Sequence, residues 1–370
     1  MRLSKPPCET PCWTWGRRAV IFGSMTDEDW MAMALVEARK GVGRTGPNPP
    51  VGAVVVKDGK FLGGGWHRGA GLPHAEVEAM AAVEAAQGKG CLAGATVYVT
   101  LEPCSTAGKT PACTGGLLRA GVSRVVYGCV DPNPAHAGAA DAILEKAGIA
   151  VRPGVLEKEC TEILRPFAKV QRTGLPWVIW KCAMSMDGRI TRPEGEGQWL
   201  SGEESRADVQ RLRAEVDVIL TSGETVRRDH PALTIRVPEL LEGRDQPWRV
   251  VLTDRPETLP GDAPLFADEW KDRTLIRNGG LEETLRELAR ERGVLSVMIE
   301  AGGKLSAAML AAGLVDEIFI YYAPILCGGG TLPALAGEGF SKSMELREMS
   351  WERFGADLRL RGLIGRNKDE

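Results

Sequence analysis

The residues best able to do chemistry lie in two stretches, PHAEVEAM (Pro73 to Met80) and LEPCSTAGKTPAC (Leu101 to Cys113). His74 offers an imidazole nitrogen, and Cys104 and Cys113 offer two thiolates. That donor set suits a catalytic zinc, which takes three protein ligands and keeps its fourth position for water. Glu76 falls in the first turn of a helix. There it is badly placed as a fourth ligand but well placed to take a proton from an activated water and hand it to a leaving amine. Each feature alone is ordinary, since a histidine before a helix usually caps it or packs in the core. Together, H-x-E, then P-C, then a second cysteine entering a helix form the zinc-deaminase pattern. The two cysteines are separated here by eight residues, STAGKTPA.

The elements that must hold these groups follow from periodicity. DEDWMAMALVEARKG has apolar residues at helical spacing, with Thr26 or Asp27 as the N-cap and acids in the first turn. VGAVVV and FLGGGWH are strands joined through an Asp58-Gly59 turn. Next come a helix in HAEVEAMAAVEAAQ, a strand in ATVYVTLEPC and a helix in TGGLLRAG. RVVYGCV, AGAADAILEKAG and IAVRPGV complete the alternation as strand, helix and strand. A hairpin followed by such alternation predicts an α/β sandwich of about 140 residues.

The segment EILRPFAKVQRTGLPW, basic and interrupted by prolines, marks a boundary, after which the alternation restarts. Residues 25–168 and 169–370 are therefore expected to form two α/β domains, as a 370-residue chain favours. Residues 1–24 lack periodicity and read as an extension, upstream of a start at Met25 or disordered. Net charge is −3, and no apolar run reaches membrane-spanning length, which argues against nucleic-acid and membrane partners. Nine scattered cysteines make no disulfide framework, so the cytoplasm is the expected compartment.

The second half carries no G-x-G-x-x-G fingerprint. It has VMIEAGGKLSAAML, a strand, the pair Gly302-Gly303 and a helix whose N-terminal amides favour anions, with Lys304 adding charge. An ordinary strand–helix turn reads the same way, and CGGG at 327–330 is equally unspecific.

Longer blocks are more telling. GRTGPNPPVGAVVV, GWHRGAGLPHAE, VTLEPCSTAGKTPAC and DPNPAHAG resemble successive segments of the bifunctional riboflavin-biosynthesis deaminase–reductase family. KCAMSMDGRI, GEGQWLSG, VILTSGETVRRDHPALTIR and IEAGGKL with LVDEIFIYYAPILCGGG resemble its reductase half. The likeness runs from about residue 26 to about residue 365. Cytidine and tRNA adenosine deaminases share the zinc core but lack the eight-residue loop and the second half.

The resemblance implies a cytidine-deaminase-like three-layer α/β/α sandwich followed by a dihydrofolate-reductase-like α/β domain that binds NADPH. It implies substrate contacts at Asn48, His67 and Lys109 in the first domain, and at Lys181, Arg213, Leu233, Arg236 and Glu300 in the second. Ala183, Trp199, Thr225, Asp229, Gly302 and Gly303 fall on the cofactor side. Arg213 and Arg236 have a physical task, because a guanidinium matches phosphate bidentately.

The implied substrate is a phosphorylated diaminopyrimidinone ribosylamine, deaminated and then reduced at the ribose, by a homodimer or homotetramer. Three positions depart from the family pattern: Thr106 replaces a histidine, Gly197 a serine and His230 an aspartate. They keep open an alternative, a working deaminase beside a catalytically silent reductase-like domain. A nucleic-acid-editing deaminase would instead need a basic groove with stacking aromatics, which the charge does not favour.

Overall fold

The structure, a computed structural model, describes residues 25–106, 111–133 and 138–365. The first domain runs α1 (Asp27–Arg39), β1 (Gly52–Lys57), β2 (Lys60–Trp66), α2 (Ala75–Gln87), β3 (Thr96–Leu101), α3 (Cys113–Ala120), β4 (Arg124–Cys129), α4 (Ala139–Lys146), β5 (Ala150–Arg152) and α5 (Glu157–Thr173). Its five strands lie in the order β2-β1-β3-β4-β5. β1 is antiparallel to both neighbours, and β3, β4 and β5 are parallel. Thr26 and Asp29 close a capping box on α1. Asp27, beside them, accepts from Tyr98 and pairs with Arg124 and Arg152, tying the helix to the sheet. Burial opposes its ionisation, but those partners outweigh it and hold the carboxyl at about 2.

Glycines in VGAVVV and FLGGGWH set how close the helices come. A Cβ on Gly65 would lie 2.4 Å from the Ala79 nitrogen in α2. A Cβ on Gly52 would lie 2.2 Å from the Ala34 carbonyl in α1. Gly65 pairs with Ala53, the neighbour of Gly52 in β1, so the two contacts fall on opposite faces of the sheet. α1 and α2 thus form the two outer layers, and α2 is seated at backbone distance with its N-terminus over the ends of β2 and β3.

The second domain runs β6 (Trp177–Ser185), α6 (Glu203–Ala214), β7 (Val218–Ser222), α7 (Gly223–Asp229), α8 (Pro238–Leu241), β8 (Trp248–Leu252), α9 (Pro264–Ala267), β9 (Thr274–Arg277), α10 (Leu281–Arg292), β10 (Ser296–Ile299), α11 (Gly303–Ala311), β11 (Glu317–Ala323), β12 (Leu346–Phe354) and β13 (Asp357–Ile364). Eight strands lie in the order β12-β13-β11-β6-β10-β7-β8-β9. The six from β11 to β9 are parallel, and β13 and β12 add an antiparallel edge.

Helix α5 runs through residue 168, where the sequence suggested a break. Pro166 lies inside it and forfeits one backbone hydrogen bond, but both ends are anchored. Cys160 and Leu164 belong to the first domain's core. Lys169 pairs with Asp316, 2.5 Å away and equally buried, next to β11 of the second domain.

If α2 must sit this close, Gly65→Val will force it off the sheet. The expected loss is about 1–3 kcal/mol of stability by urea denaturation, with a fall in bound metal. An unshifted urea midpoint would show that the close seating is dispensable.

Candidate active sites

His74 is the N-cap residue of α2, and Cys113 is the first residue of α3. Cys104 lies on the loop beyond β3. Three separate elements thus converge. The Cys104 and Cys113 sulfurs lie 3.5 and 3.3 Å from His74 Nδ1, and all three donor atoms fall within 4.8 Å of one another. A tetrahedral zinc, with bonds of ~2.3 Å to sulfur and ~2.1 Å to nitrogen, separates those atoms by about 3.6 Å. The donor set therefore fits the ion in both chemistry and spacing. The Cys113 amide donates to the Cys104 sulfur at 3.3 Å, fixing the Cys104 thiol.

The charge state agrees. The hydrogen bond from Cys113 is the main influence pushing the Cys104 thiol down, opposed by burial and helped by His74. Cys113 is driven upward by its bond to Cys104, by burial and by Glu76. Two thiolates this close repel, which is why the pair shifts in opposite directions, and a dication removes that repulsion.

Glu76 is 3% exposed, in the first turn of α2. Burial pushes its carboxyl up to about 7, partly offset by its own backbone amide and by His74. A dication at the cluster would draw that value down, so the residue is poised to exchange a proton.

His67 is buried and uses both ring nitrogens. Nδ1 donates to the Pro73 carbonyl at 3.0 Å, and Nε2 accepts from the Asn48 amide at 2.9 Å. Burial lowers its pKa, which suits the neutral ring this pairing requires. Its ring meets that of His74 edge-on at 5.4 Å. Asn48, His67, His74 and Glu76 therefore form one connected wall. Lys109 lies outside the described residues, as do residues 134–137 of DPNPAHAG and residues 1–24.

In the second domain, Lys181 on β6 and Glu300 just past β10 stand at neighbouring strands, where open α/β sheets bind ligands beyond the strand ends. Arg213 Nε and Nη2 bond the two Glu300 oxygens at 2.7 and 3.0 Å, and its Nη1 donates to the Thr234 carbonyl at 2.8 Å. Lys181 Nζ lies 3.6 Å from the same carboxylate. Burial works against ionisation of Glu300, but Arg213 and Lys181 prevail and hold it at about 2.

The fork of Arg213 is thus spent on Glu300 rather than left open for an anion. The Arg236 side chain is exposed and makes no hydrogen bond or ion pair among the described residues. It is the only cation lining an open depression of about 520 Å³, whose rim also holds Glu239 and Glu242.

Leu233 is buried in the core with a left-handed backbone (φ 52), a strained state for a branched side chain. Thr225 Oγ1 accepts from the Gly302 amide at 3.3 Å, linking α7 to the N-terminus of α11. A Cβ on Gly303 would meet the Pro333 carbonyl at 2.6 Å, whereas Gly302 opens onto free space. Ala183 is partly buried on β6, and Asp229 is exposed at the end of α7. Trp199 is 54% exposed with the Arg206 guanidinium over its ring. Gly197 has no neighbour that a Cβ would touch, and His230 caps α7 in a left-handed conformation.

Two acids escaped the sequence reading. Glu102, 3% exposed, accepts from the amides of Asp131, Gly138 and Ala140, so it braces the loop after β4 against the metal-binding loop. Asp187 accepts from Ser185 and from the amides of Cys327 and Gly328, which joins the SMDGR and CGGG motifs in space. The acid immediately before Pro103-Cys104 was the available signal for the first. The second had none, because the two amides it accepts from lie 140 and 141 residues away.

Residues 24–129 match the family model for the cytidine and deoxycytidylate deaminase zinc-binding region, and residues 176–360 match the RibD C-terminal domain. Fold and site together define a zinc-binding deaminase domain joined to a reductase domain. The riboflavin biosynthesis protein RibD of Escherichia coli K12 is 41% identical over 345 residues, covering 84% of this chain and 92% of its own length. The protein of the same name from Mycobacterium tuberculosis H37Rv is 40% identical over 340 residues, covering 90% and 96%. Among solved structures, Acinetobacter baumannii RibD superimposes with a TM-score of 0.81 at 36% identity, over 92% of this chain and 99% of that one. The diaminohydroxyphosphoribosylaminopyrimidine deaminase/5-amino-6-(5-phosphoribosylamino)uracil reductase of Thermotoga maritima gives 0.79 at 31% identity over the same shares. The chain belongs to the RibD family of riboflavin-biosynthesis proteins and is an enzyme with deaminase and reductase activities.

Replacing Glu300 by Gln leaves the Arg213 and Lys181 charges uncompensated and is expected to cost about 3–5 kcal/mol at neutral pH. Because the folded carboxyl is held below its ordinary 4.5, its contribution is complete above pH 4.5 and is lost as pH falls toward about 2. Urea midpoints at pH 6 and pH 3 should therefore converge between parent and variant at the acid end. A constant gap would mean that Glu300 is not the titrating partner.

Proposed function

We propose that this chain deaminates 2,5-diamino-6-(ribosylamino)-4(3H)-pyrimidinone 5′-phosphate in its first domain. The second domain then reduces the ribosyl group of the product to a ribityl chain with NADPH. The observation that carries the first step is the His74, Cys104 and Cys113 cluster with Glu76 beside it. A zinc ion held by those three residues supplies Lewis acidity that makes water a nucleophile near neutral pH.

Glu76 takes the proton as the water oxygen bonds to the amino-bearing ring carbon, then delivers it to the departing amino nitrogen. The C–N bond breaks and ammonia leaves, so Glu76 ends as it began. Asn48, held by His67, is placed to orient the pyrimidine edge, and Lys109 is assigned to the substrate phosphate. Burial around Glu76 keeps bulk water from short-circuiting the transfer.

For the second step, NADPH supplies hydride chemistry and the protein supplies alignment. Ala183, Trp199, Thr225, Asp229 and the Gly302-Gly303 turn are assigned to the cofactor side. Lys181, fixed by Glu300, faces the substrate as a rigid donor, with Arg213 bracing that carboxylate and Leu233 packing behind them. Arg236, with its fork open, is the preferred partner for the ribose phosphate. Association as a homodimer or homotetramer is favoured by the exposed Met349 and Trp351 on the edge strand β12. A cytoplasmic location suits the seven cysteines among the described residues, none of them in a disulfide.

Ammonia release and NADPH oxidation, followed separately, test this reading. Glu76→Ala is expected to abolish deamination while leaving reduction of pre-deaminated substrate intact, and loss of both would contradict independent sites. Arg236→Ala is expected to raise the reductase KM about 10- to 100-fold with kcat retained, the worth of one charge-assisted contact. Ammonia release with no NADPH oxidation in the parent would identify a silent second domain instead.

A further inference from the structure

The loop Gly41–Asn48, which carries Asn48 to the deaminase site, packs against backbone of the reductase domain. A Cβ on Gly46 would lie 2.4 Å from the Gly293 carbonyl, and one on Gly43 would lie 2.6 Å from the Ala214 carbonyl. From the other side, a Cβ on Gly293 would come within 2.9 Å of the Pro47 ring. These contacts join main chain to main chain, so they leave little room for adjustment.

Two arginines bracket the junction. Arg44 Nη1 donates to the Gly243 carbonyl at 3.1 Å, while its guanidinium stacks over Trp66 of β2. Arg244 Nη2 donates back to the Val42 carbonyl at 3.4 Å. The reductase segments involved are fixed in their own domain. Ala214 ends α6, one residue after Arg213. Gly293 caps α10, and next to it Asp217 accepts from the amides of Leu295 and Ser296.

On the deaminase side the chain of contacts continues inward. The Asn48 amide nitrogen donates to the Thr45 carbonyl at 3.0 Å, and its side chain donates to His67, whose ring abuts His74.

We propose that the reductase domain is a working part of the deaminase site: Ala214–Val216 and Gly293 clamp the loop Gly41–Asn48 and so set the position of Asn48 over the pyrimidine. Gly43, Gly46 and Gly293 are positioning residues, since none of them touches the reacting atoms. This rests on the reading of Asn48 as a substrate contact. The deaminase half would consequently depend on the reductase half for substrate affinity, while metal binding by His74, Cys104 and Cys113 would not.

The test uses the full-length, metal-loaded protein. Gly46→Ala is the sharper variant, because Gly46 has no positive φ and its only tight contact crosses the domain boundary. Gly293→Ala approaches the junction from the other side, but it also strains a left-handed residue (φ 65). Gly313→Ala imposes the same strain (φ 66) on an exposed helix end with nothing within 4 Å of the added carbon.

Gly46→Ala and Gly293→Ala are each expected to raise the deaminase KM on the order of tenfold, the cost of a small misplacement of a binding group. Bound zinc and the reductase kcat on deaminated substrate should stay at parent values, and Gly313→Ala should change nothing. A folded Gly46→Ala protein with the parent deaminase KM overturns the clamp. So does equal loss of both activities in Gly293→Ala and Gly313→Ala. Asn48→Ala, assayed alongside, separates the two layers of the argument. A parent KM there removes the reading of Asn48 itself, whereas a raised KM with a silent Gly46→Ala removes only the clamp. If Gly293→Ala does not fold, Gly46→Ala alone decides.

Discussion

Bringing two sulfurs within 3.5 Å of one imidazole nitrogen is costly without a cation, and much of the first domain serves to hold them there. His74 and Cys113 open two helices, so their positions are fixed by where α2 and α3 begin. α2 is located in turn by the bare backbone at Gly65, which lets it rest on the sheet at main-chain distance. Glu76 inherits its place from the same helix. Its burial follows from the close seating, and its readiness to hold a proton follows from its burial. The placing of His74 and Glu76 thus reduces to how deeply α2 lies on the sheet.

The second domain solves a different problem with the opposite charge logic. Glu300 is buried yet ionised, because Arg213 and Lys181 surround it. The arrangement consumes an arginine that sequence reasoning offered to the substrate phosphate. It leaves Lys181 immobilised and Arg236 open, which divides the cationic work between a rigid group and a free one. A carboxylate bound bidentately by a guanidinium cannot swing, so the strand-end platform stays preorganised whether or not a ligand is present.

The two domains are not beads on a string. Helix α5 begins in one core and ends on a buried ion pair with the other, across Pro166 and across the segment whose composition marked a domain boundary. Tertiary packing overrode the local signal, because Cys160, Leu164 and Lys169 are anchored on both sides of the proline. Strand β9 and the β12–β13 hairpin also went unread. β9 has only four residues, and β12 is mostly solvent-exposed, so neither shows a clear apolar period.

The sequence by itself determined the α/β alternation, the capping of α1 and the donor set His74, Cys104 and Cys113 with Glu76. These depend on residue type and short spacing, which local chemistry constrains. Family likeness in its longer blocks pointed to the reductase half. Only the tertiary structure decided which partner each charge takes. Glu300 lies 87 residues from Arg213, Asp187 lies 140 from Cys327, and Gly46 meets Gly293 from a different domain. Such contacts leave no periodic trace in the chain, because they are set by how whole elements stack rather than by what neighbours a residue in sequence.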